Sequence, residues 1–320
     1  MSDRANRIEL IAKIGNSSNI VIAGHEFPDG DSIGSCLALA LALNKMGKKV
    51  WVLLGDRGDK YDIIPGQQFI YEGDISLLEP DLFICVDCAS EERLGEASDL
   101  FRKSSQTICI DHHETGGDDP FADISYISTK ASATCELIFH VLNEMGLINK
   151  DVASAIYAGI VYDTGGFLHK STTPECLNVT AELLKQNIPF SDIYNSILKE
   201  RSLRSAKMLA LALSRLKLDD GIAYSYVTYD DLVKEGADMP DLDQISNELS
   251  LTTGATVSIF VYEKKSGISK ASFRSKNIDV REIAKSFGGG GHKGAAGSDI
   301  SAPAQEALPL AINKVCEALK

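Results

Sequence analysis

The sequence lacks any run of about 18 apolar residues, so we expect no membrane-spanning segment. Its first ten residues contain no apolar signal core, which predicts a cytoplasmic protein. Cysteine is sparse and odd in number, at seven residues. Cys85 and Cys88 have the spacing of a zinc or redox pair, but no second pair accompanies them. We therefore expect buried, reduced thiols.

Positive charge is also scarce. Lys and Arg total 32 against 45 Asp and Glu, which gives a net charge of −13. Proteins that coat long nucleic acids gain affinity by neutralising phosphates, so this balance argues against that class. Short phosphorylated substrates remain compatible with it. Most of the excess acid precedes residue 213, where bound divalent cations would offset it locally.

Strand and helix patterns alternate through the first part of the chain. Continuous apolar runs at Asn19–Ala23, Leu82–Val86 and Thr107–Ile110 are typical of strands buried on both faces of a parallel sheet. The Ala- and Leu-rich segment Ser35–Met46 predicts a helix closed by glycine. This alternation predicts an α/β fold with a doubly wound, mainly parallel sheet.

The pattern changes in the last third of the chain. Ile222–Val227, Thr256–Tyr262 and Ile268–Phe273 alternate apolar and polar residues, and helical patterns follow them. We therefore expect a second, smaller α+β domain. The predicted bounds are 1–189 for the first domain, 190–214 for a helical connector and 215–320 for the second domain.

An Asp-His-His run, Asp111-His112-His113, follows the predicted strand Thr107–Ile110. Two imidazoles and a carboxylate at a strand end lie where an open α/β sheet places its active site. Taken alone, however, neighbouring histidines can be ordinary loop residues.

Three further clusters accompany this run. His25, Asp29 and Asp31 lie in a Pro- and Gly-containing turn between a strand and a helix. Asp87 ends an apolar strand, and Asp163 follows another apolar run. Imidazole and carboxylate ligands suit Mn²⁺ or Mg²⁺ better than a thiolate-rich zinc site. We expect all four clusters to lie at strand ends and to share one edge of the sheet.

Each cluster also has a purely structural interpretation. Asp31 or Ser32 could cap the next helix, Asp29 could form a turn, and Arg93 could neutralise Asp87. The distribution of the six histidines favours the metal site, because four of them fall within the motifs. Those four are His25, His112, His113 and His292. Of the other two, we interpret His140 as structural, whereas His169 could approach the site.

The segment Phe287–Gly297 combines glycines with cationic side chains. Exposed backbone N–H groups can cradle a phosphate, and Arg274, which ends a predicted strand, adds charge. A flexible linker is the alternative, but linkers favour Ser and Gly without His or Lys. The candidate substrate-binding residues are Arg274, Gly289, Gly290, Gly291, His292 and Lys293.

The order of these motifs resembles that of the DHH/DHHA1 phosphoesterases over nearly the whole chain. The matching motifs are His25-x3-Asp29-x-Asp31, Val86-Asp87, Asp111-His112-His113, Asp163-Thr164-Gly165 and Gly289–Gly297. In this family a metal-binding DHH domain is linked to a smaller DHHA1 substrate domain, and the active site lies in the cleft between them. The resemblance implies hydrolysis by hydroxide activated at a centre of two divalent cations, commonly Mn²⁺, with Mg²⁺ as the alternative.

The resemblance also implies roles for single residues. One ion would be held by His25, Asp29 and Asp87. The other would be held by Asp31, Asp87, His112 and Asp163, with Asp87 bridging. Asp111 would orient a histidine, and His113 would face the scissile phosphate. In the small domain, Arg274, His292 and the glycine backbone would hold the substrate's phosphates.

A stand-alone chain of this length resembles the nano-RNase, or oligoribonuclease, branch of the family. We therefore expect hydrolysis of di- to pentanucleotides of RNA or DNA to mononucleotides, and of 3′-phosphoadenosine 5′-phosphate to AMP. The alternative enzyme is a stand-alone phosphodiesterase for cyclic di-AMP or its linear product pApA. The non-enzyme alternative is a nucleotide-binding regulator with a vestigial metal site. The resemblance is compatible with a homodimer, which no residue of the sequence establishes.

Overall fold

The computed structural model divides the chain into two compact units, Met1–Glu200 and Arg201–Lys320. We call these the first and second units. The residues that the structure describes are 3–88, 90–113, 121–242 and 244–319.

The first unit contains five short parallel strands. They are β1 (Asn19–Ala23), β2 (Lys49–Leu53), β3 (Leu82–Val86), β4 (Thr107–Asp111) and β5 (Ile124–Ile127). Their order in the sheet is β2-β1-β3-β4-β5. β3 and β4 are buried throughout, because helices cover both faces of the sheet. The predicted doubly wound α/β fold is confirmed.

Seven helices lie among the described residues of the first unit. They are α1 (Asp3–Asn16), α2 (Gly30–Lys45), α3 (Ser98–Lys103), α4 (Thr134–Glu144), α5 (Lys150–Asp163), α6 (Pro174–Leu184) and α7 (Phe190–Leu198). Short 3₁₀ turns occur at Asp59–Tyr61, Gln67–Phe69, Ile75–Leu77 and Glu91–Ala97.

The strand order reverses direction between β1 and β3, and a crevice opens there at the carboxyl ends of the strands. Ala23 pairs with Cys85, and Val86 pairs with Ile110. The residues that follow β1, β3 and β4 therefore leave the sheet side by side.

The helix predicted at Ser35–Met46 begins earlier, at Gly30. Asp29 caps it, because one of its carboxylate oxygens accepts the N–H groups of Asp31 (3.0 Å) and Ser32 (3.2 Å). The alternative that Asp31 or Ser32 is the cap is therefore wrong.

Two glycines let α2 and α5 pack at close range. A Cβ atom added at Gly34 would lie 2.6 Å from the carbonyl oxygen of Ala155. One added at Gly159 would lie 2.7 Å from Oδ1 of Asp31 and would overlap the sulfur of Cys135. This close approach fixes the start of α2, which carries Asp31, against α5.

Asp163 is the last residue of α5, so the expectation that it follows a strand is wrong. The apolar run before it, Val152–Val161, is buried throughout, and a buried helix cannot be distinguished from a buried strand by its apolar run alone. Asp163 reaches the crevice because α5 packs along α2.

The second unit contains a six-stranded sheet with helices. The strands are β6 (Lys217–Asp219), β7 (Ile222–Val227), β8 (Val257–Lys265), β9 (Ile268–Ser275), β10 (Gly290–His292) and β11 (Ala295–Ile300). The helices are α8 (Leu203–Ser214), α9 (Tyr229–Glu235), α10 (Ile245–Ser250), α11 (Val280–Lys285) and α12 (Ala304–Ala318). The strand order is β10-β11-β9-β8-β7-β6, in which only β7 and β8 pair in parallel. This sheet with its helices agrees with the expected α+β architecture.

The division after Glu200 falls within the predicted connector 190–214, between α7 and α8. The predicted domain bounds 1–189 and 215–320 stay a prediction. None of the described helices is long and apolar enough to cross a membrane. All seven cysteines are free, and six of them are buried.

We expect Gly159→Ala to lower the free energy of unfolding of the first unit by about 1–3 kcal/mol, because the added methyl group overpacks the contact between α2 and α5. Urea unfolding measures the change. Gly15→Ala is the matched control, since a Cβ atom at that position meets nothing within 4 Å. An unchanged or raised stability of Gly159→Ala would contradict the close packing of α2 on α5.

Candidate metal centre

Six of the predicted ligands meet at the carboxyl end of the first unit's sheet. They are His25, Asp29 and Asp31 after β1, Asp87 after β3, His112 after β4, and Asp163 at the end of α5. With His113, their ligand atoms form three overlapping groups, each with all atoms within 4.8 Å of one another: His25, Asp29 and Asp87; Asp87, His112 and His113; and Asp31, His112 and Asp163. The topology of the sheet therefore gathers residues that are far apart in the sequence.

Two of these groups contain Asp87. Nε2 of His25 lies 3.9 Å from Oδ2 of Asp29 and 3.6 Å from Oδ2 of Asp87. Nε2 of His112 lies 3.7 Å from the other oxygen of Asp87, Oδ1. Asp87 thus presents one carboxylate oxygen to each imidazole.

The group of Asp31, His112 and Asp163 is centred on the His112 ring. Its Nε2 lies 3.0 Å from Oδ2 of Asp163 and 3.9 Å from Oδ2 of Asp31. The other ring nitrogen, Nδ1, lies 3.4 Å from the carbonyl oxygen of Ala131. A proton on Nδ1 would leave the lone pair of Nε2 directed at the carboxylates, which is the arrangement that a metal-binding histidine adopts.

The backbone at Asp87 turns its carboxylate into the site. Its φ is +54°, in the left-handed region that Asp adopts more readily than most residues. Its N–H still bonds to the carbonyl oxygen of Ile110 (3.0 Å), so the sheet holds the turn in place. The side chain is almost fully buried.

The amino terminus of α4 supplies donors to two of the carboxylates. Its cap residue, Ala133, has no side chain that could accept the free N–H groups. The buried carboxylate of Asp31 accepts them instead, from Thr134 N and from Cys135 N (2.9 Å). The Thr134 hydroxyl also donates to Oδ1 of Asp87 (3.2 Å).

Sequence reasoning missed Thr134. The segment before α4 has only the composition of a helix start, and no local signal shows that a distant carboxylate receives its donors. Only the fold brings Thr134 to Asp31 and Asp87, which are 103 and 47 residues away in the sequence.

Asp111 holds His113 in place. Its Oδ1 accepts the backbone N–H of His113 (3.0 Å) and lies 2.9 Å from the ring nitrogen Nδ1. This bond raises the pKa of His113 despite partial burial. The His113 side chain is 42% exposed, and its Nδ1 lies 3.4 Å from Oδ1 of Asp87. Its other nitrogen, Nε2, has no hydrogen-bond partner among the described residues and can face a bound molecule.

The electrostatics show a shortage of positive charge. Burial, together with the charges of Asp87 and Asp163, raises the pKa of Asp29 to about 6. Burial and the same two charges raise the pKa of Asp31 well above its ordinary value. Burial opposes a charged His112, yet the surrounding carboxylates raise its pKa to about 10. Divalent cations would supply the charge that these carboxylates lack.

Asp87 behaves differently from the other carboxylates. Burial opposes its ionisation, but the imidazoles of His25, His113 and His112 together hold its pKa below the ordinary value. Asp87 therefore favours the ionised form, in which each of its two oxygens can bind a cation.

The donor set fits divalent cations on an independent observation. Nε2 of His112 faces the carboxylates of Asp163 (3.0 Å), Asp87 (3.7 Å) and Asp31 (3.9 Å), and Oδ2 of Asp111 is buried with no hydrogen-bond partner among the described residues. Buried polar atoms of this kind are costly unless something satisfies them. An imidazole nitrogen that faces three carboxylates has the chemistry of a site for a cation such as Mn²⁺ or Mg²⁺.

The structural alternatives concern Arg93, which could pair with Asp87 or Glu91, and the two histidines outside the motifs, His140 and His169. Arg93 forms no ion pair with Asp87 or Glu91 in the part of the chain that the structure describes, and Glu91 pairs with Arg102 instead. His140 lies 3.5 Å from Glu175, outside the cluster. His169 approaches it, with Nδ1 2.9 Å from the carbonyl oxygen of Asp163, but belongs to none of the ligand groups.

The glycine-rich segment of the second unit contains a short strand. Gly290–His292 form β10, which pairs with β11 at the edge of the sheet. The N–H of Gly289 donates to the carbonyl oxygen of Ala284 (2.9 Å), and the expected role of Gly289 in substrate binding stays a prediction. A Cβ atom at Gly289 would collide with the strand opposite, which explains the glycine there.

The cationic residues of the second unit remain accessible. His292 and Lys293 are exposed, as are Gly290 and Gly291. Arg274 is half-buried, and its Nε donates to Oδ1 of Asn247 (3.0 Å). Their expected roles in substrate binding stay a prediction.

We expect Thr134→Val to weaken Mn²⁺ binding by about 10-fold to 100-fold, because the Asp87 carboxylate loses the hydroxyl that orients it. Thr134→Ser should restore most of the affinity. Isothermal titration with Mn²⁺ measures the effect, and Thr107→Val, which removes a buried hydroxyl at the opposite end of β4, is the control. Mn²⁺ binding by Thr134→Val as tight as that of the unmodified protein would contradict this role.

Comparison with protein-family models gives two matches. The model described as "DHH family, N-terminal domain" matches residues 19–160, and the model described as "DHHA1 domain" matches residues 219–320. Together they cover the sheet of the first unit and strands β7 to β11 of the second.

Individual proteins agree with these matches. The chain is 29% identical to the bifunctional oligoribonuclease and PAP phosphatase NrnA of Bacillus subtilis, over 92% of this chain and 93% of that protein. It is 30% identical to an uncharacterised protein of Mycoplasma genitalium, over 85% of this chain and 83% of that one. An exopolyphosphatase-related protein from Bacteroides fragilis has a similar structure, with a TM-score of 0.88 and 28% identity over 99% of this chain and 96% of that chain. The chain belongs to the DHH/DHHA1 family.

Proposed function

We propose that this protein is a metal-dependent phosphoesterase that hydrolyses short oligonucleotides to mononucleotides and 3′-phosphoadenosine 5′-phosphate to AMP. The observation that carries the proposal is the position of Asp87, whose two carboxylate oxygens each lie near a different imidazole–carboxylate group. Two-ion phosphoesterases need such a shared carboxylate to hold two cations next to each other.

The proposed ligand sets build on the groups His25–Asp29–Asp87 and Asp31–His112–Asp163, with Asp87 added to the second because its Oδ1 lies 3.7 Å from Nε2 of His112. One cation would be held by His25, Asp29 and Asp87. The other would be held by Asp31, Asp87, His112 and Asp163. Oxygen and imidazole donors favour Mn²⁺ as the natural ion, with Mg²⁺ as the alternative. When bound, two divalent cations lower the pKa of water and neutralise charge on the phosphate.

The chain's own residues would orient the reacting groups. Thr134 and the start of α4 fix the carboxylates of Asp87 and Asp31, so that little reorganisation is needed when cations bind. Nδ1 of His113 would donate to Asp111, which raises the pKa of His113, and in the protonated ring Nε2 can donate a hydrogen bond to a phosphate oxygen. His113 would thereby stabilise the charge that develops on the phosphate during attack.

Two observations support short nucleotides as the substrates. The net charge of −13 disfavours binding along a long polyanion. The relative from Bacillus subtilis carries the name oligoribonuclease and PAP phosphatase. We assign the binding of substrate phosphates to Arg274, Gly290, Gly291, His292 and Lys293 of the second unit. A cytoplasmic location and a homodimer stay predictions.

The proposal is tested by turnover with Mn²⁺ on five substrates: pApA, a five-residue RNA, 3′-phosphoadenosine 5′-phosphate, cyclic di-AMP and pyrophosphate. We expect fast loss of the first three, slow loss of cyclic di-AMP, and no turnover by Asp87→Ala. Asp192→Ala, an exposed change on α7, is the matched control. Fast cleavage of cyclic di-AMP alone would point to second-messenger breakdown, and the absence of any Asp87-dependent turnover would refute the enzyme.

Removal of metal should abolish turnover. Protein treated with EDTA and then dialysed is expected to be inactive, and added Mn²⁺ should restore activity more fully than added Mg²⁺. Turnover that persists in metal-free protein, with inductively coupled plasma analysis confirming the removal, would contradict a metal-dependent mechanism.

We expect His113→Ala to reduce kcat by about 10²-fold to 10⁴-fold, the range for loss of a group that transfers or shares a proton in the transition state. Mn²⁺ affinity should change much less, because all six proposed ligands remain. His140→Ala, outside the cluster, is the control. An unchanged kcat in His113→Ala would contradict a role of His113 in the chemical step.

A further inference from the structure

A pocket of about 460 Å³ in the first unit opens beside His25. It is formed by the carboxyl ends of β1 and β2 and by the segments that precede and follow β3. Leu53, Leu94 and Ala97 are buried apolar residues of its wall, and Tyr71 is half-buried beside them. Its volume lies within the range of about 300–1,000 Å³ that small-molecule sites occupy.

A phenylalanine stands at the mouth of this pocket. Phe27 lines it with 81% of its surface exposed, although such large apolar side chains are usually buried in a core. The backbone on either side is fixed, because Glu26 N bonds to the carbonyl oxygen of Arg93 (2.8 Å) and Pro28 is buried. The loop therefore holds an aromatic face to solvent between two candidate metal ligands, His25 and Asp29.

The charges around the pocket exclude a phosphate. Four carboxylates line it: Glu26, Asp56, Glu72 and Glu96. In the described part of the chain none of the four has an ion pair or a side-chain hydrogen bond, and neither Lys nor Arg lines the pocket. These carboxylates favour an occupant with hydrogen-bond donors at its edge, and the exposed ring of Phe27 beside the apolar wall favours one with a flat, apolar face.

A nucleobase has these properties. Base faces stack on aromatic side chains, and carboxylates accept hydrogen bonds from exocyclic amino groups, as they do from cytosine N4. His25 belongs both to the pocket wall and to the candidate metal centre, so a phosphate at that centre would have its nucleoside within reach of Phe27.

We propose that this pocket is a nucleobase subsite, in which Phe27 stacks on one base of the substrate and the carboxylate rim selects bases that carry an amino group. The proposal rests on the proposed function. It predicts that dinucleotides of guanine, adenine and cytosine are better substrates than the uracil dinucleotide.

Steady-state kinetics on pGpG, pApA, pCpC and pUpU test the proposal. We expect Phe27→Ala to raise KM by about tenfold, the scale of one base–aromatic stack, with little change in kcat. Phe27→Trp should restore KM. The matched control is Phe190→Ala, since Phe190 is also exposed (51%) in the first unit but does not line the pocket.

The carboxylate rim is tested separately. Glu72→Gln combined with Glu96→Gln should reduce the preference in kcat/KM for pGpG over pUpU, because amide groups also donate hydrogen bonds and no longer select for donors on the base. An unchanged KM in Phe27→Ala, or an unchanged base preference in the double variant, would overturn the subsite. The proposed enzymatic function would still stand if turnover depended on Asp87.

Direct binding separates this inference from the proposed function. Guanosine, which carries no phosphate, should bind the unmodified protein in isothermal titration and bind Phe27→Ala at least about tenfold more weakly. That result would support the subsite even if no substrate were turned over. Guanosine binding that does not depend on Phe27, or binding of spermidine in its place, would overturn it.

Discussion

The first unit is arranged around one buried carboxylate, that of Asp87. It ends a strand in the middle of a parallel sheet, and its left-handed backbone directs its two oxygens toward His25 and His112. A carboxylate so deeply buried needs partners on every side. The Asp87 carboxylate has three imidazoles and the Thr134 hydroxyl as partners, and the remaining negative charge of the cluster calls for cations.

The surrounding helices hold this arrangement because their packing is tied to the same residues. The Asp31 carboxylate accepts the N–H groups at the start of α4, because the cap residue Ala133 has no side chain that could accept them. The helix start and a candidate metal ligand therefore stabilise each other. Gly159 lets α5 approach Asp31 closely, and the same helix ends at Asp163. The stability of the unit and the geometry of the site therefore depend on the same contacts.

Much of this could be predicted from the sequence. β1, β3 and β7 have the predicted bounds, because apolar runs and strict alternation are strong local signals. Five of the six candidate ligands lie together because they follow parallel strands whose carboxyl ends meet at one edge of the sheet, and Asp163 joins them from the end of α5. The expectation that Asp163 lies at a strand end is wrong, because an apolar run alone leaves a buried helix and a buried strand indistinguishable. Thr134 and the pairing of Gly290–His292 depend on distant partners, which no local pattern reveals.

The most direct test of this account is anomalous diffraction at the manganese edge from crystals of the Mn²⁺-loaded protein. The account predicts two peaks about 3.5–4 Å apart, the separation of two-ion centres, with one carboxylate of Asp87 between them. His25 and Asp29 should flank one peak, and Asp31, His112 and Asp163 the other. A single peak, or two peaks that do not share Asp87, would contradict the account.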